Sequence, residues 1–393
     1  MSRRDSLDLV IVGAGVVGSA TALAAARDGL RVALVEAHEP PAWSPDGSDL
    51  RVYAFAPDNA ALLDGLGAWS AVRAARAHPY RRMRVWDAAG GGELTFDADA
   101  LGRDHLGHIV EHSLLVDRLW AACGREPSLR RIFPARLAGL EQDEDAATAV
   151  LEDGQRLRAR LVVGADGAAS RVRAAAALEA DAHDYGQCGL VAYVQTQHPH
   201  EDTAWQRFLP TGPLAFLPCS DGRCSIVWSL PEAEAQRLLA ADEESFRREL
   251  TRAFDARLGD VVSVSARAAF PLRRQLAKGY VAGRVLLVGD AAHAVHPLAG
   301  QGVNLGLRDV AALRDAWRAA AAAHADFASP HRLARWERTR RSENAVAAYS
   351  FEAINRVFSN DAMWPTLLRG HALGLANRLT PVTRALWRRA AGL

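Results

Sequence analysis

The chain has 393 residues, 49% hydrophobic and 24% charged, enough for two or more globular domains and unlike a disordered or fibrous protein. Its 47 basic and 46 acidic residues give a net charge of +1, which excludes a basic field for holding nucleic acid. Four cysteines with no CxxC pair argue against a disulfide framework or structural zinc, and no uncharged apolar run reaches the roughly 18 residues that span a bilayer.

The N-terminal arginines are followed by an interrupted apolar run with no small-residue cleavage site. We therefore expect no signal peptide and a cytoplasmic protein. Residues 8–36 read DLVIVGAGVVGSATALAAARDGLRVALVE. Leu9 to Val12 suit a buried parallel strand, an alanine-rich helix follows to about Arg27, and Arg31 to Val35 form a second strand. The turn between strand and helix carries Gly13, Gly15 and Gly18. Gly13 permits the tight turn, Gly15 lets backbone approach a pyrophosphate, and Gly18 lets helix and strand pack closely. The pyrophosphate would then sit on the helix N-terminus, where free N–H groups and the dipole favour an anion. Glu36 falls 23 residues after Gly13, near the usual spacing of about 20, and can accept from ribose hydroxyls. A carboxylate there disfavours a 2′-phosphate, which leaves FAD or NAD.

Residues 284–308, RVLLVGDAAHAVHPLAGQGVNLGLR, predict another buried strand from Val285 to Val288. It is closed by Gly289-Asp290 and followed by a glycine-rich loop and a helix from about Val303. Asp290 at a strand end can hold a ribityl hydroxyl, and Gly300, Gln301 and Gly302 precede a helix N-terminus. Asp290, His293 and His296 also have metal-ligand spacing. The buried strand and the glycines fit flavin better, leaving the histidines to packing and hydrogen bonding. Cys219 and Cys224 have the spacing of a flavin-linked dithiol but lie far from any βαβ unit, so they read as strand or turn residues. There is no GxSxG elbow and no WxWxIP motif.

This last segment resembles the ribityl-binding motif of FAD-dependent aromatic hydroxylases, the single-component monooxygenases of the p-hydroxybenzoate hydroxylase type. LVVGADGAASRVR at 161–173 resembles the same class's Asp-Gly motif, with Asp166, Gly167, Ser170 and Arg173 on its characteristic positions. Residues 49–69, DLRVYAFAPDNAALLDGLGAW, are similar to the segment that carries a flavin-contacting arginine in ubiquinone-biosynthesis hydroxylases, and Arg51 is the matching residue. HLGHIVEHSLL at 105–115 and the stretch 184–218 look like the same subfamily. Tyr53, Phe55 and His112 depart from its pattern, which has smaller residues at the first two positions and more often Asn at the third. They touch the region where flavin and substrate meet.

The placing of these motifs implies an α/β fold with a discontinuous Rossmann-like FAD-binding domain (1–75, 105–180 and 275–330); stretches such as 189–197 alternate or run in β-rich fashion and suit a mostly antiparallel β substrate domain (76–104 and 181–274), followed by C-terminal helices (331–393). Within these, 231–259 reads as amphipathic helix starting near Pro231. The resemblance further implies FAD as cofactor, NADPH or NADH as transient co-substrate, and O2 transferred through a flavin C4a-hydroperoxide to a prenylated phenol. On that basis Arg51 and Pro297 are the expected catalytic residues. Gly13, Gly15, Gly18, Glu36, Arg51, Asp166, Gly167, Asp290, Gly300, Gln301, Gly302 and Asn304 are expected to bind the cofactor, with no metal. Hydroxylation of another aromatic metabolite, or FAD-dependent reduction without oxygen, are the alternatives. From Met363 to Leu393 there are five arginines and no acid, interleaved with Trp364, Trp387 and leucines. Such a stretch suits contact with an anionic membrane surface or a biosynthetic complex.

Overall fold

The computed structural model describes residues 7–88, 92–295 and 302–358. Strand Leu7–Val12 lies at the centre of a sheet. It pairs in parallel with Val32–Val35 on one side and Arg156–Gly164 on the other. Val32–Val35 continues in parallel to Leu129–Ile132, and Arg156–Gly164 to Val285–Leu287. The inner strands are apolar at consecutive positions because both faces are covered. Leu9, Val10 and Ile11 are fully buried, as are Val32, Ala33 and Leu34. Helix Val16–Arg27 covers one face, packed between helices His112–Cys123 and Gly302–Ala322. Its alanines make that close approach possible.

The second sheet is antiparallel at every pairing except Thr203–Leu209 with Arg82–Asp87. Its long strands, Ala180–Thr196, Gly212–Pro218 and Cys224–Pro231, follow the two-residue period of a pleated sheet. Leu190, Ala192, Leu214, Phe216, Ile226 and Trp228 bury one face in a core shared with two helices. Gly189, Val191, Pro213, Ala215, Leu217, Val227 and Ser229 turn to the other face and line a cavity. A small third sheet joins Val52–Phe55 and His78–Tyr80 to Gly107–Glu111.

The stretch 231–259 forms two helices, Glu232–Ala240 and Glu243–Ala253. Asp242 separates them: its backbone is extended and its side chain accepts from Ser245 N–H, which caps the second helix. Cys219 and Cys224 flank the turn between Gly212–Pro218 and Cys224–Pro231 as free thiols. Burial pushes Cys219 up to about 12 and Cys224 well above its ordinary value, so neither forms a thiolate near neutrality.

Candidate functional site

At the C-terminal end of Leu7–Val12 the backbone turns through Gly13, whose φ is +102°. A Cβ there would lie 2.5 Å from Ala165 O, and one on Gly18 would lie 1.8 Å from Gly13 O. These two glycines are demanded by the protein's own backbone. Gly15 differs, because a Cβ on it would meet nothing within 4 Å. It caps helix Val16–Arg27 without a side-chain hydrogen bond, beside a cavity of about 760 Å³ that it lines with Gly13 and Val16. Backbone N–H groups of a first turn with no side-chain cap are an anion site. Glu36, at the end of the next strand, lines the same cavity. Its carboxylate accepts from Ala14 N–H at 2.5 Å and Ala37 N–H at 2.7 Å, so the acid and the glycine turn are fixed as one unit.

The other two motifs converge on this cavity. Asp166 and Gly167 line it, and the Asp166 carboxylate shapes its own turn. It accepts from Ser170 Oγ at 2.5 Å, Arg171 N–H at 2.7 Å and Val172 N–H at 3.1 Å. Arg173 donates to Ala168 O and Ala291 O, both at 2.8 Å, linking that turn to the Gly289-Asp290 turn. Asp290 opens onto the cavity with protein on its other sides. That burial pushes its carboxyl up from the ordinary range, against the opposing pull of His293 and Arg51. Gly302 lies nearby; a Cβ on it would come no closer than 4.0 Å, to Asp290 Oδ1.

Arg51 lines the middle of the cavity and is exposed there. Its guanidinium has no carboxylate partner among the described residues, whereas many of the described arginines form ion pairs. Tyr53 and His112 stand beside it, with Tyr53 Oη and His112 Nδ1 2.9 Å apart. Above them the cavity is apolar, closed by the second sheet, and reaches Phe270, which is 53% exposed. One continuous space therefore runs from a phosphate-type turn, past a cation with no carboxylate partner among the described residues, to a mostly apolar roof.

Of the residues singled out in the sequence, Gly13, Gly15, Glu36, Arg51, Asp166, Gly167, Asp290 and Gly302 line this one cavity, and Gly18 packs beneath its turn. Asn304 does not line it. It is fully buried, accepts from Ala56 N–H and Asn59 Nδ2 at 2.9 Å each, and donates to Ala54 O at 2.9 Å. It braces the Arg51 segment against helix Gly302–Ala322. Pro297, Gly300 and Gln301 lie outside the described residues. Sequence reading passed over Asp309, which is fully buried and accepts from His293 Nε2 at 2.5 Å and Gly289 N–H at 3.0 Å. The one available signal was an acid four residues from Leu305 and from Leu313, on the apolar face of the helix. Outside the cavity, His78, His200 and Asp202 cluster. His200 already accepts from Asp202 N–H and donates to Cys219 O, so the group ties loops together.

The description "FAD binding domain" belongs to the family whose sequence pattern matches residues 6–348. A 3-demethoxyubiquinol 3-hydroxylase of Escherichia coli is 38% identical over 387 residues, covering 98% of each chain. A ubiquinone hydroxylase of Rhodospirillum rubrum is 39% identical over 386 residues, covering 98% of this chain and 89% of that one. Among solved structures, p-nitrophenol 4-monooxygenase of Pseudomonas putida superposes with a TM-score of 0.78 at 21% identity, over 98% of both chains, a likeness of fold. PqsL of Pseudomonas aeruginosa, in complex with 2-aminobenzoylacetate, gives 0.73 at 25% identity over 98% of this chain and all of that one.

Proposed function

Since this chain belongs to the FAD-binding-domain family and is an FAD-dependent aromatic-ring monooxygenase, we propose that it hydroxylates a prenylated phenol in ubiquinone biosynthesis, with NAD(P)H as reductant and O2 as oxygen source. Two of the relatives carry the names 3-demethoxyubiquinol 3-hydroxylase and ubiquinone hydroxylase. The observation that carries the reading is the single cavity joining the Gly13–Gly18 turn and Glu36 to an apolar, sheet-roofed end.

The residues fit a bound dinucleotide. Open space over Gly15 leaves room for a pyrophosphate against the helix N-terminus, and Glu36 is placed to accept from the adenosine ribose. Asp290 is assigned to the ribityl chain and Arg51 to the flavin's anionic portion. Bound FAD supplies the redox chemistry, accepting hydride from the nicotinamide and activating O2. The chain's part is orientation and exclusion of water: Val191, Ala215, Leu217, Val227 and Leu272 form the apolar lining against which an aromatic ring and its prenyl tail would pack. By the resemblance of their segment, Pro297 is assigned beside the flavin ring, Gly300 and Gly302 to its pyrimidine end or ribityl phosphate region, and Gln301 to the cofactor. We assign FAD to 1–75, 105–180 and 275–330 and the substrate roof to 76–104 and 181–274.

No helix among the described residues is long and apolar enough to cross a membrane. A prenylated substrate must nevertheless leave one, and we assign that delivery to the basic, tryptophan-bearing stretch 363–393 docking peripherally. Sedimentation with anionic vesicles, before and after truncation ahead of Trp364, tests it; equal binding by both forms removes the assignment. The activity itself is tested by oxygen uptake and product mass on a short-chain prenylphenol. Nicotinamide oxidation with neither oxygen uptake nor a hydroxylated product would favour a reductase. Deleting the gene and weighing the accumulating intermediate would name the ring position.

A further inference from the structure

Tyr53 and His112 lie 59 positions apart in the sequence, and the fold brings them together. Tyr53 Oη is 2.9 Å from His112 Nδ1, and the rings meet edge to face with centroids 5.7 Å apart. Tyr53 sits on strand Val52–Phe55 and His112 at the start of helix His112–Cys123, whose first N–H donates to Arg51 O at 2.9 Å. Both side chains line the cavity next to Arg51.

Both rings stay neutral across the physiological range. Burial raises the Tyr53 phenol above its ordinary value despite Arg51. Burial, reinforced by Arg51, holds His112 down to about 4. A neutral tyrosine has one proton to donate, and His112 Nδ1 is its acceptor among the described residues. With the Tyr53 hydroxyl as donor to Nδ1, the imidazole proton lies on Nε2, which has no hydrogen-bond partner among the described residues.

We propose that Tyr53 and His112 form a fixed, neutral hydrogen-bond donor for a ring-borne oxygen in this cavity, belonging to the phenolic substrate or to a carbonyl at the edge of the flavin. The inference rests on the reading of the chain as an FAD-dependent phenol hydroxylase. His112 is the binding group and Tyr53 its positioning residue. A hydrogen bond donated to the substrate oxygen lowers the pKa of the phenol, so that loss of its proton to solvent gives the electron-rich phenolate more readily.

The test is binding to the oxidised holoenzyme, followed by flavin absorbance and needing no turnover. A 2-alkylphenol is compared with the alkylbenzene that lacks the hydroxyl. The wild type should prefer the phenol about fivefold to tenfold, the size of one hydrogen bond to a buried donor. His112→Leu should abolish the preference, and His112→Asn should restore most of it through its amide N–H. Tyr53→Phe should reduce it about threefold at unchanged flavin content, because the ring is then free to take either tautomer. If the phenol preference is unmoved but the flavin spectrum and reduction potential shift in His112→Leu and return in His112→Asn, the acceptor is the flavin oxygen. The proposal is overturned if neither quantity moves. If His112→Leu fails to fold, Tyr53→Phe decides: unmoved preference and unmoved potential in that variant overturn it. A wild type that binds the phenol preferentially yet hydroxylates nothing would remove the hydroxylase reading and leave the donor pair standing.

Discussion

The three glycines of the first turn separate two that the protein's own backbone demands from one that is open to the cavity. Gly18→Ala places a methyl against Gly13 O and should cost about 3 kcal/mol or more, read as a lower urea midpoint. Gly15→Ala meets no protein atom; it should fold with an unchanged midpoint and lose FAD on purification. Equal midpoints for the two variants would refute the distinction. Glu36→Ala removes charge-assisted hydrogen bonds of about 1.5–3 kcal/mol each. It should release FAD while near-UV circular dichroism stays native, and full flavin retention would refute the assignment. Arg51→Ala should keep FAD yet form less product for each nucleotide oxidised, with the difference appearing as hydrogen peroxide. An unchanged ratio would remove Arg51 from the reaction.

Between elements, buried charge sets the geometry. Asp309 on helix Gly302–Ala322 joins the Gly289 turn and His293 to Arg340 Nε at 2.8 Å and Asn344 Nδ2 at 3.1 Å, both on helix Pro330–Phe358. Burial pushes its carboxyl up, but His293 and Arg340 outweigh that and hold it at about 2. Removing Asp309 leaves the buried His293 Nε2, Gly289 N–H and Arg340 Nε without their acceptor, at a cost of about 3–5 kcal/mol, although Arg340 keeps Glu343 and Asn344. Asp309→Ala should lower the urea midpoint accordingly and loosen the flavin, since the same carboxylate fixes the turn that presents Asp290. A stable variant with full flavin content would show that the turn holds itself.

For the whole molecule, acid is the expected weakness. Burial holds His108 and His112 down to about 4. The unfolded chain binds these protons from about pH 6.5, so between those limits it carries more protons than the folded protein. Stability is then constant above about 6.5 and falls as pH drops toward 4, by on the order of 2–3 kcal/mol for each histidine. Urea midpoints at pH 7.5 and 5.0 measure the slope. His108→Phe should flatten it; a slope identical to that of the wild type would place the acid sensitivity elsewhere.

The sequence by itself determined the βαβ unit, its three glycines, the acid at the end of the second strand and the Asp290 turn, and pointed the three motifs that line one cavity to a common site, because each depends on short-range constraints. Backbone clashes select glycine, continuous apolar runs select strands buried on both faces, and an acid ends a strand. It also gave the antiparallel character of the second sheet, through alternation in stretches such as 189–197. Tertiary structure alone decided which face of that sheet lines the cavity, since either register of a period-two pattern is locally equivalent. It turned Asn304 inward to Asn59 and Ala56 and broke 231–259 at Asp242. It also paired Tyr53 with His112 and gathered Asp309, His293 and Arg340. These outcomes depend on partners tens to hundreds of residues away, and a buried polar group acquires its partner only when the packed elements bring one within about 3 Å.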